Sequence, residues 1–264
     1  MNYQSLSYLD LAIASALILV NGVLSILLRL QLERQLLLAG IRTVVQLLAI
    51  GYVLGWVFQH AWWYVVLPLM CGMTLIAGIS ASGRGERRYR GLLTDSVVSV
   101  WLSSWLVTAI GLIIILRVKP WYEPQYAIPI LGMILGNSLT AVSLGMERMT
   151  RELSAQRGQI EMLLALGATR WEAARGAAAQ AVRAGMMPTL NQMSVVGIVS
   201  LPGMMTGQIL AGQSPVEAVR YQIVIMFLIA ASSALGTVCA VLLAFGRLFS
   251  PGHQFLAHRL RRSS

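Results

Sequence analysis

Residues 195–212 read V-V-G-I-V-S-L-P-G-M-M-T-G-Q-I-L-A-G. The run is apolar enough for a bilayer, yet Pro202 and Gly203 stand at its middle and Met204 and Met205 follow at once. Proline has no backbone donor and its ring clashes with the preceding turn, so a membrane helix that contains it bends or breaks. A carbonyl freed in hydrocarbon is costly unless protein or a water-filled cavity satisfies it. The stretch therefore reads as a broken helix facing the inside of a bundle, where something passes.

Composition sets the solvent. Of 264 residues 57% are hydrophobic and 11% charged, with a mean hydropathy of +0.70; in a soluble domain roughly a quarter are charged. The chain reads as an integral membrane protein, with the lipid bilayer as its solvent. Its net charge of +10 would suggest a nucleic acid in a soluble domain. Here nearly all the arginines lie between apolar runs, where they read as orienting charge, and no nucleic-acid partner is expected. Cys71 and Cys239 lie inside apolar runs without CxxC or Cys/His spacing, so neither a disulfide framework nor a zinc site is indicated. No basic region or small-residue cleavage site precedes the first apolar run, which is expected to be a retained helix and not a signal peptide.

At roughly 20 apolar residues per span, seven segments qualify: 9–28, 36–58, 62–82, 94–116, 126–147, 189–211 and 217–245. None alternates with period two, so the expected fold is all-α, a polytopic membrane protein with about seven transmembrane helices. Arginines follow spans one, three, five and seven, at Arg29 and Arg34, at 84–90, at 148–183 and at 247–262, while the opposite connections carry little charge. The positive-inside rule then predicts the N-terminus outside and the C-terminus cytoplasmic. Trp56, Trp62, Trp63, Tyr64, Trp121 and Tyr122 read as the outer aromatic belt.

The one long polar connection spans 148–188. Residues 158–166 read as a short helix ended by Gly167, a residue suited to the left-handed conformation at a helix end. Thr169 and Glu172 then have the spacing of a capping box, which predicts a second helix starting there. On a helical wheel Glu172, Arg175, Gly176, Gln180 and Arg183 share one side, and the alanines, Val182 and Trp171 the other. This amphipathic helix is expected to run until Gly185 and Pro188. Two helices and a Gly-Ala-Thr turn make a compact cytoplasmic knob, either a linker or a docking element for a partner.

Catalytic patterns are missing from the sequence: no GxSxG, no HExxH, and no acid pair inside a span at helical spacing. His60, His253 and His258 all lie outside the spans, which leaves no His-based proton relay. A P-loop needs a lysine to reach the terminal phosphates, and the single lysine, Lys119, sits beside Pro120 on the outer side. Active transport would therefore draw on an ion gradient or on another subunit. Gradient-driven carriers place acids at mid-membrane, whereas Asp10 and Asp95 lie near span ends, which favours a separate ATPase docked on the knob.

Several stretches carry a resemblance. The knob's E-M-L-L-A-L-G-A-T, with Glu161 and Gly167, is similar to the E-A-A-x-x-x-G cytoplasmic loop of ABC-transporter permeases, without the usual downstream I-x-L-P spacing. More specific are Arg42-Thr43-Val44-Val45-Gln46 with Gly51-Tyr52-Val53-Leu54, and Ile128-Pro129-Ile130 through Gly132-Met133 and Gly136-Asn137 to Val142. The third is Ser200-Leu201-Pro202-Gly203-Met204-Met205-Thr206-Gly207 with Tyr221-Gln222-Ile223. Together they resemble the bacterial iron-export ABC permease family, to which plant aluminium-tolerance half-transporters are similar. The resemblance implies a single transmembrane permease domain over 1–264, with coupling helices at about 148–187, in the bacterial inner membrane. It implies a second copy of the chain and two copies of a cytoplasmic ABC ATPase as partners. ATP and Mg would then lie on that partner, with no cofactor tightly bound here and no enzyme activity in this chain. The cargo would be iron or a related metal ion; a nucleotide sugar or another anionic or chelated small molecule is the alternative. A gradient-driven carrier or channel, or a membrane assembly factor docking a soluble enzyme, is a further reading of the same features.

Candidate residues follow. Glu161, Leu166, Gly167, Ala168, Thr169, Arg170 and Glu172 are expected to couple to the ATPase. Met133, Asn137 and Thr140 recur at i, i+4 and i+7, and with Asn191, Ser194, Pro202, Met204 and Met205 they are candidates for the pathway; their polar groups could equally bond neighbouring helices. Gly203 and Gly207 read as break or packing positions. Met204 and Met205 could offer a metal at most a weak transit site, since thioethers are soft and no His, Cys or acid stands beside them. Arg42 and Gln46, one turn apart, could attract an anion or pair with Glu147.

Overall fold

The computed structural model describes residues 8–83 and 87–262. It is helical nearly throughout and divides into two units, residues 1–62 and 63–264. In the first unit α1 (Tyr8–Leu27) and α2 (Glu33–His60) form a helical hairpin. The hairpin turn is fastened by Ser25, whose hydroxyl accepts from the Leu32 amide at 2.9 Å and donates to Glu33 at 3.0 Å. Val57 is the one described α2 residue that is buried, so apolar side chains cover most of that helix's surface.

The second unit holds α3 (Trp63–Ser82), α4 (Leu92–Ala109, continued as π-helix over Ile110–Ile115), α5 (Pro124–Ala155), α6 (Arg157–Ala165), α7 (Arg170–Val195), α8 (Gly203–Leu210) and α9 (Pro215–Leu248). Helix α5 is its axis and packs on α3, α4, α7 and α9. Helix contact in a bilayer relies on small residues and hydroxyls, because lipid is as apolar as leucine. That pattern is met here. Gly145 and Gly185 lie so close to α9 that a Cβ on either would stand 2.6 Å from the Thr237 methyl, and one on Gly185 would stand 2.6 Å from the Ala141 carbonyl of α5. Ser138 and Ser232 join α5 to α9 at 2.7 Å, and Trp105 Nε1 donates to Thr74 across α3 and α4 at 3.1 Å.

Five helices among the described residues are long and apolar enough to cross a membrane: α2, α3, α4 with its π extension, α5 and α9. The multi-pass helical fold is therefore as expected, and the boundaries of two expected segments change. Helix α5 does not end at 147, the expected end of span five, but continues to Ala155. The amphipathic helix does not end at Gly185 and Pro188 either: α7 passes through both and stops only at Val195. The expected span 189–211 is thus the end of α7, a non-helical stretch at 196–202, and the short α8. The boundary at Gly185 and Pro188 is missed because a local stop signal is overridden by packing, Gly185 being in contact with two helices.

The arginine-rich ends of the second unit meet. Arg247, in the last turn of α9, donates to buried Asp95 in the first turn of α4 at 2.7 Å and to Thr94 at 3.0 Å, and Tyr89 donates to the other Asp95 oxygen at 2.9 Å. Burial, and then the adjacent Asp95 carboxylate, push the Tyr89 phenol well above its usual range. Arg87 bonds Ser154 at the end of α5, and a two-residue ladder pairs Arg87 and Arg88 (β1) with Arg262 and Arg261 (β2).

Candidate coupling element and passage

The knob is a helix, a turn and a capped helix start. Helix α6 carries Glu161, paired with Arg157 at 2.8 Å across one exposed turn. The chain then reverses at Gly167, whose φ of +91° is a left-handed value costly to any residue with a Cβ. The Ala168 amide returns to the Leu163 carbonyl at 3.0 Å and the Gly167 amide to Leu164 at 3.1 Å, which ties off the end of α6. The capping box is present. The Glu172 amide donates to Thr169 Oγ1 at 3.3 Å, and the Glu172 carboxylate accepts from the Thr169 amide and hydroxyl, both at 2.7 Å. Those bonds, Thr169's hydroxyl first, hold the Glu172 carboxyl below the usual glutamate range.

Seen from outside, this element presents a row of unburied side chains. Leu166 is 77% exposed and Met162 56%, and nothing lies within 4 Å of the position a Gly167 Cβ would take. On its inner side the knob is tied to the chain beyond α9. The Arg170 amide donates to His253 Nδ1 at 2.9 Å, and its guanidinium reaches the Ser250 carbonyl at 3.4 Å and lies over the Phe245 ring at 5.5 Å. Trp171, Phe245, Phe249 and Phe255 stack in series at ring separations of 5.1 to 5.3 Å. Sequence reasoning missed His253, Ser250 and this aromatic train. The i, i+4 spacing of Phe245 and Phe249 is the one local signal they leave.

Of the expected passage residues, the structure gathers only a few. The stripe on α5 is satisfied within its own helix: Asn137 Nδ2 donates to the Met133 carbonyl at 2.8 Å and Thr140 to Gly136 at 3.1 Å. Ser194 does the same to Leu190 at 2.9 Å, and Asn191 is exposed. Past Val195 the chain unwinds. Gly197 has φ +84° and donates to the Ser200 carbonyl at 2.9 Å, so a tight turn occupies the break, and helix resumes after Pro202, the N-cap of α8. Below this turn lies a cavity of about 540 Å³, lined by Met193, Met205 and Met226, by Leu201 and Phe227, and by Gln222. Gln222 is 6% exposed and its Oε1 accepts from nothing among the described residues. Met205 is thus at the cavity, while Met204, Met133, Asn137, Thr140, Asn191 and Ser194 are not among its lining residues. Met193, Met226 and Gln222 were not anticipated there, although Gln222 stands out as the lone amide of a long apolar run.

Gly203 and Gly207 have open space at their Cβ positions. Arg42 and Gln46 are exposed on α2 of the first unit. Glu147, in the second, lines a cavity of about 170 Å³ with Arg87, Thr150 and Arg151.

Long apolar helices packed through small residues, an exposed capped helix pair at the basic end and a broken helix over a thioether cavity define a multi-pass helical membrane protein. The chain belongs to the Uncharacterised protein family (UPF0014), which it matches over residues 8–249. It is 40% identical over 227 residues to the UPF0014 membrane protein slr1647 of Synechocystis, covering 86% of this chain and 88% of that one. It is 31% identical over 267 residues to the Escherichia coli "Probable iron export permease protein FetB", 99% of this chain and 100% of the relative. It is also 30% identical over 249 residues to the Arabidopsis thaliana "Protein ALUMINUM SENSITIVE 3", 94% and 89% of the two chains. No solved structure matches it.

Proposed function

We propose that this chain is the transmembrane permease subunit of an ABC exporter in a bacterial inner membrane, with its basic end facing the cytoplasm. It carries iron or a related metal ion, and ATP hydrolysis belongs to separate subunits docked on residues 158–184 of two copies of the chain. The observation that carries this reading is the unbroken α7. Its capped start belongs to the exposed knob, and its far end is the turn over the Met205–Gln222 cavity. A load applied at Gly167 moves one rigid rod that ends at the passage, which is the linkage a transporter driven from a docked motor needs.

The cargo is taken from the name of the Escherichia coli relative, and the donor set allows a weak transit site. Thioethers and one amide oxygen, with no carboxylate, imidazole or thiol among the described lining residues, would hold a metal ion loosely. Loose holding suits export, where release must follow binding. The first test is Leu166→Glu. Leu166 is 77% exposed, so the variant folds with unchanged thermal stability but loses copurification of the ATPase and cargo-stimulated ATP hydrolysis. Unaltered hydrolysis would remove the docking role. The second is Met205→Ala with Gln222→Leu, for which iron efflux into everted vesicles falls while the ATPase remains bound.

A further inference from the structure

We infer that the basic end of the second unit holds a binding site for the phosphate of an anionic lipid headgroup. A cavity of about 690 Å³ opens there, lined by Arg88, Tyr89, Arg90, Arg247, His258 and Arg259, with no carboxylate among the described lining residues. The nearby acid is already engaged. Asp95 has one oxygen on Arg247 and the other on the Tyr89 hydroxyl. Arg88, Arg90 and Arg259 have no ion pair among the described residues, and Arg259 is oriented only by its bond to the Arg247 carbonyl at 2.8 Å.

A second observation points the same way. The β1–β2 ladder sets Arg87 opposite Arg262 and Arg88 opposite Arg261. The ladder returns the chain after Arg259 to β1, so His258 and Arg259 line the same cavity as Arg88. The adjacent helix start adds to the positive character of the cavity. The N-cap of α4 is Gly91, which offers no side-chain cap, and the amide end of a helix attracts anions. Gly91 has φ +103°, and a Cβ there would stand 2.5 Å from the Arg247 guanidinium. Glycine at this position is what lets Arg247 close the cavity floor.

Position selects the source of the phosphate. The cavity sits at the ends of α4 and α9, both long and apolar enough to span, and Leu93 and Val98 on α4 are 50% and 48% exposed. Arginines grouped where spanning helices end read as headgroup sites, and the apolar flank gives acyl chains a surface. The inference stands apart from the transport reading, because it concerns binding by this chain alone.

The test uses the purified full chain with phosphatidylglycerol or phosphatidylcholine vesicles, and with sn-glycerol 3-phosphate as the soluble phosphate ester. Two triple variants are compared: Arg88→Gln, Arg90→Gln, Arg259→Gln at the site, and Arg157→Gln, Arg175→Gln, Arg183→Gln on the exposed knob and α7. Phosphatidylglycerol affinity should drop about 100-fold in the first and less than about threefold in the second. Phosphatidylglycerol should also raise the melting temperature of the wild-type chain but not of the site variant. If glycerol 3-phosphate binds and competes, the cavity takes a phosphate ester from solution and the lipid assignment falls. Equal losses in both triples, or no preference over phosphatidylcholine, would overturn the site altogether. Should the triple fail to fold, the single Arg90→Gln variant carries the same comparison.

Discussion

Helices α7 and α8 are neighbours in sequence, each has a proline, and they behave differently. In α7 Pro188 lies inside a helix of 26 residues with seven buried positions, and the helix does not stop. In α8 Pro202 is the N-cap of a helix of 8 residues, none of them buried. Proline carries the same intrinsic penalty in both places, so the surroundings decide. Near Pro188, Gly185 lies against α5 and α9 and Thr189 is buried, and leaving the helix would open that packing. Beyond Val195 there is no such contact: Ile198 is 89% exposed and Val199 79%. The break also begins at Val196 and Gly197, upstream of Pro202. Pro202 therefore sets where helix resumes, through the extended conformation it imposes on Leu201, and the loss of packing sets where helix ends.

The largest expected effect breaks the packed partner. Gly185→Val puts a branched side chain where a first carbon already stands 2.6 Å from the Ala141 carbonyl and the Thr237 methyl. Overpacking of this kind costs about 3 kcal/mol, read as a lowered melting temperature of the purified chain. Valine at Gly203, where nothing lies within 4 Å, should shift it by less than about 0.5 kcal/mol. Equal losses at both sites would mean that α8 is packed after all. Of similar size is Arg247→Ala, which strands the buried Asp95 carboxylate and should cost about 3 kcal/mol.

Next comes the break itself. Pro202→Ala restores an amide and frees Leu201 to turn helical, so α8 should lengthen toward its N-terminus. With Cys71 and Cys239 replaced by alanine, a cysteine at Val199 should then react severalfold more slowly with a water-soluble maleimide. Pro188→Ala should leave that rate unchanged. A faster or equal rate in the Pro202 variant would return the cause of the break to Gly197 alone.

What was legible in the sequence divides along the same line. Long apolar runs, the Gly167 turn and the Thr169–Glu172 cap are local patterns, and each forms where its residues stand. The presence of a break in 195–212 was legible too, because Pro202 and Gly203 are strong local signals. The continuity of α7 was not: Gly185 followed by Pro188 reads as a stop, and only the Ala141 and Thr237 contacts, distant in sequence, reverse it. The same holds for the cavity. Met193, Met226 and Gln222 sit in ordinary apolar helix, and the packing of α7 on α9 is what brings the first near the others. His253 under Arg170 is a tertiary contact with no periodicity behind it.

The smallest effect separates the two helix starts. α7 opens with a side-chain cap and α8 without one. Thr169→Ala should cost about 1 kcal/mol, most of it as fraying at the knob, visible as faster amide exchange over the first turn of α7. Its pH dependence follows from Glu172, whose folded carboxyl titrates below its usual range. A depressed acid stabilises the folded state above its unfolded value and loses that contribution as pH falls through the folded one. Exchange at the start of α7 should therefore quicken as pH drops below the ordinary glutamate range, beyond the intrinsic pH trend, and this excess should vanish in Thr169→Ala. The start of α8, with no acid to titrate, should show no excess in either chain. If both helix starts respond alike, the knob owes its order to the His253 contact with the Arg170 amide, and the cap is incidental.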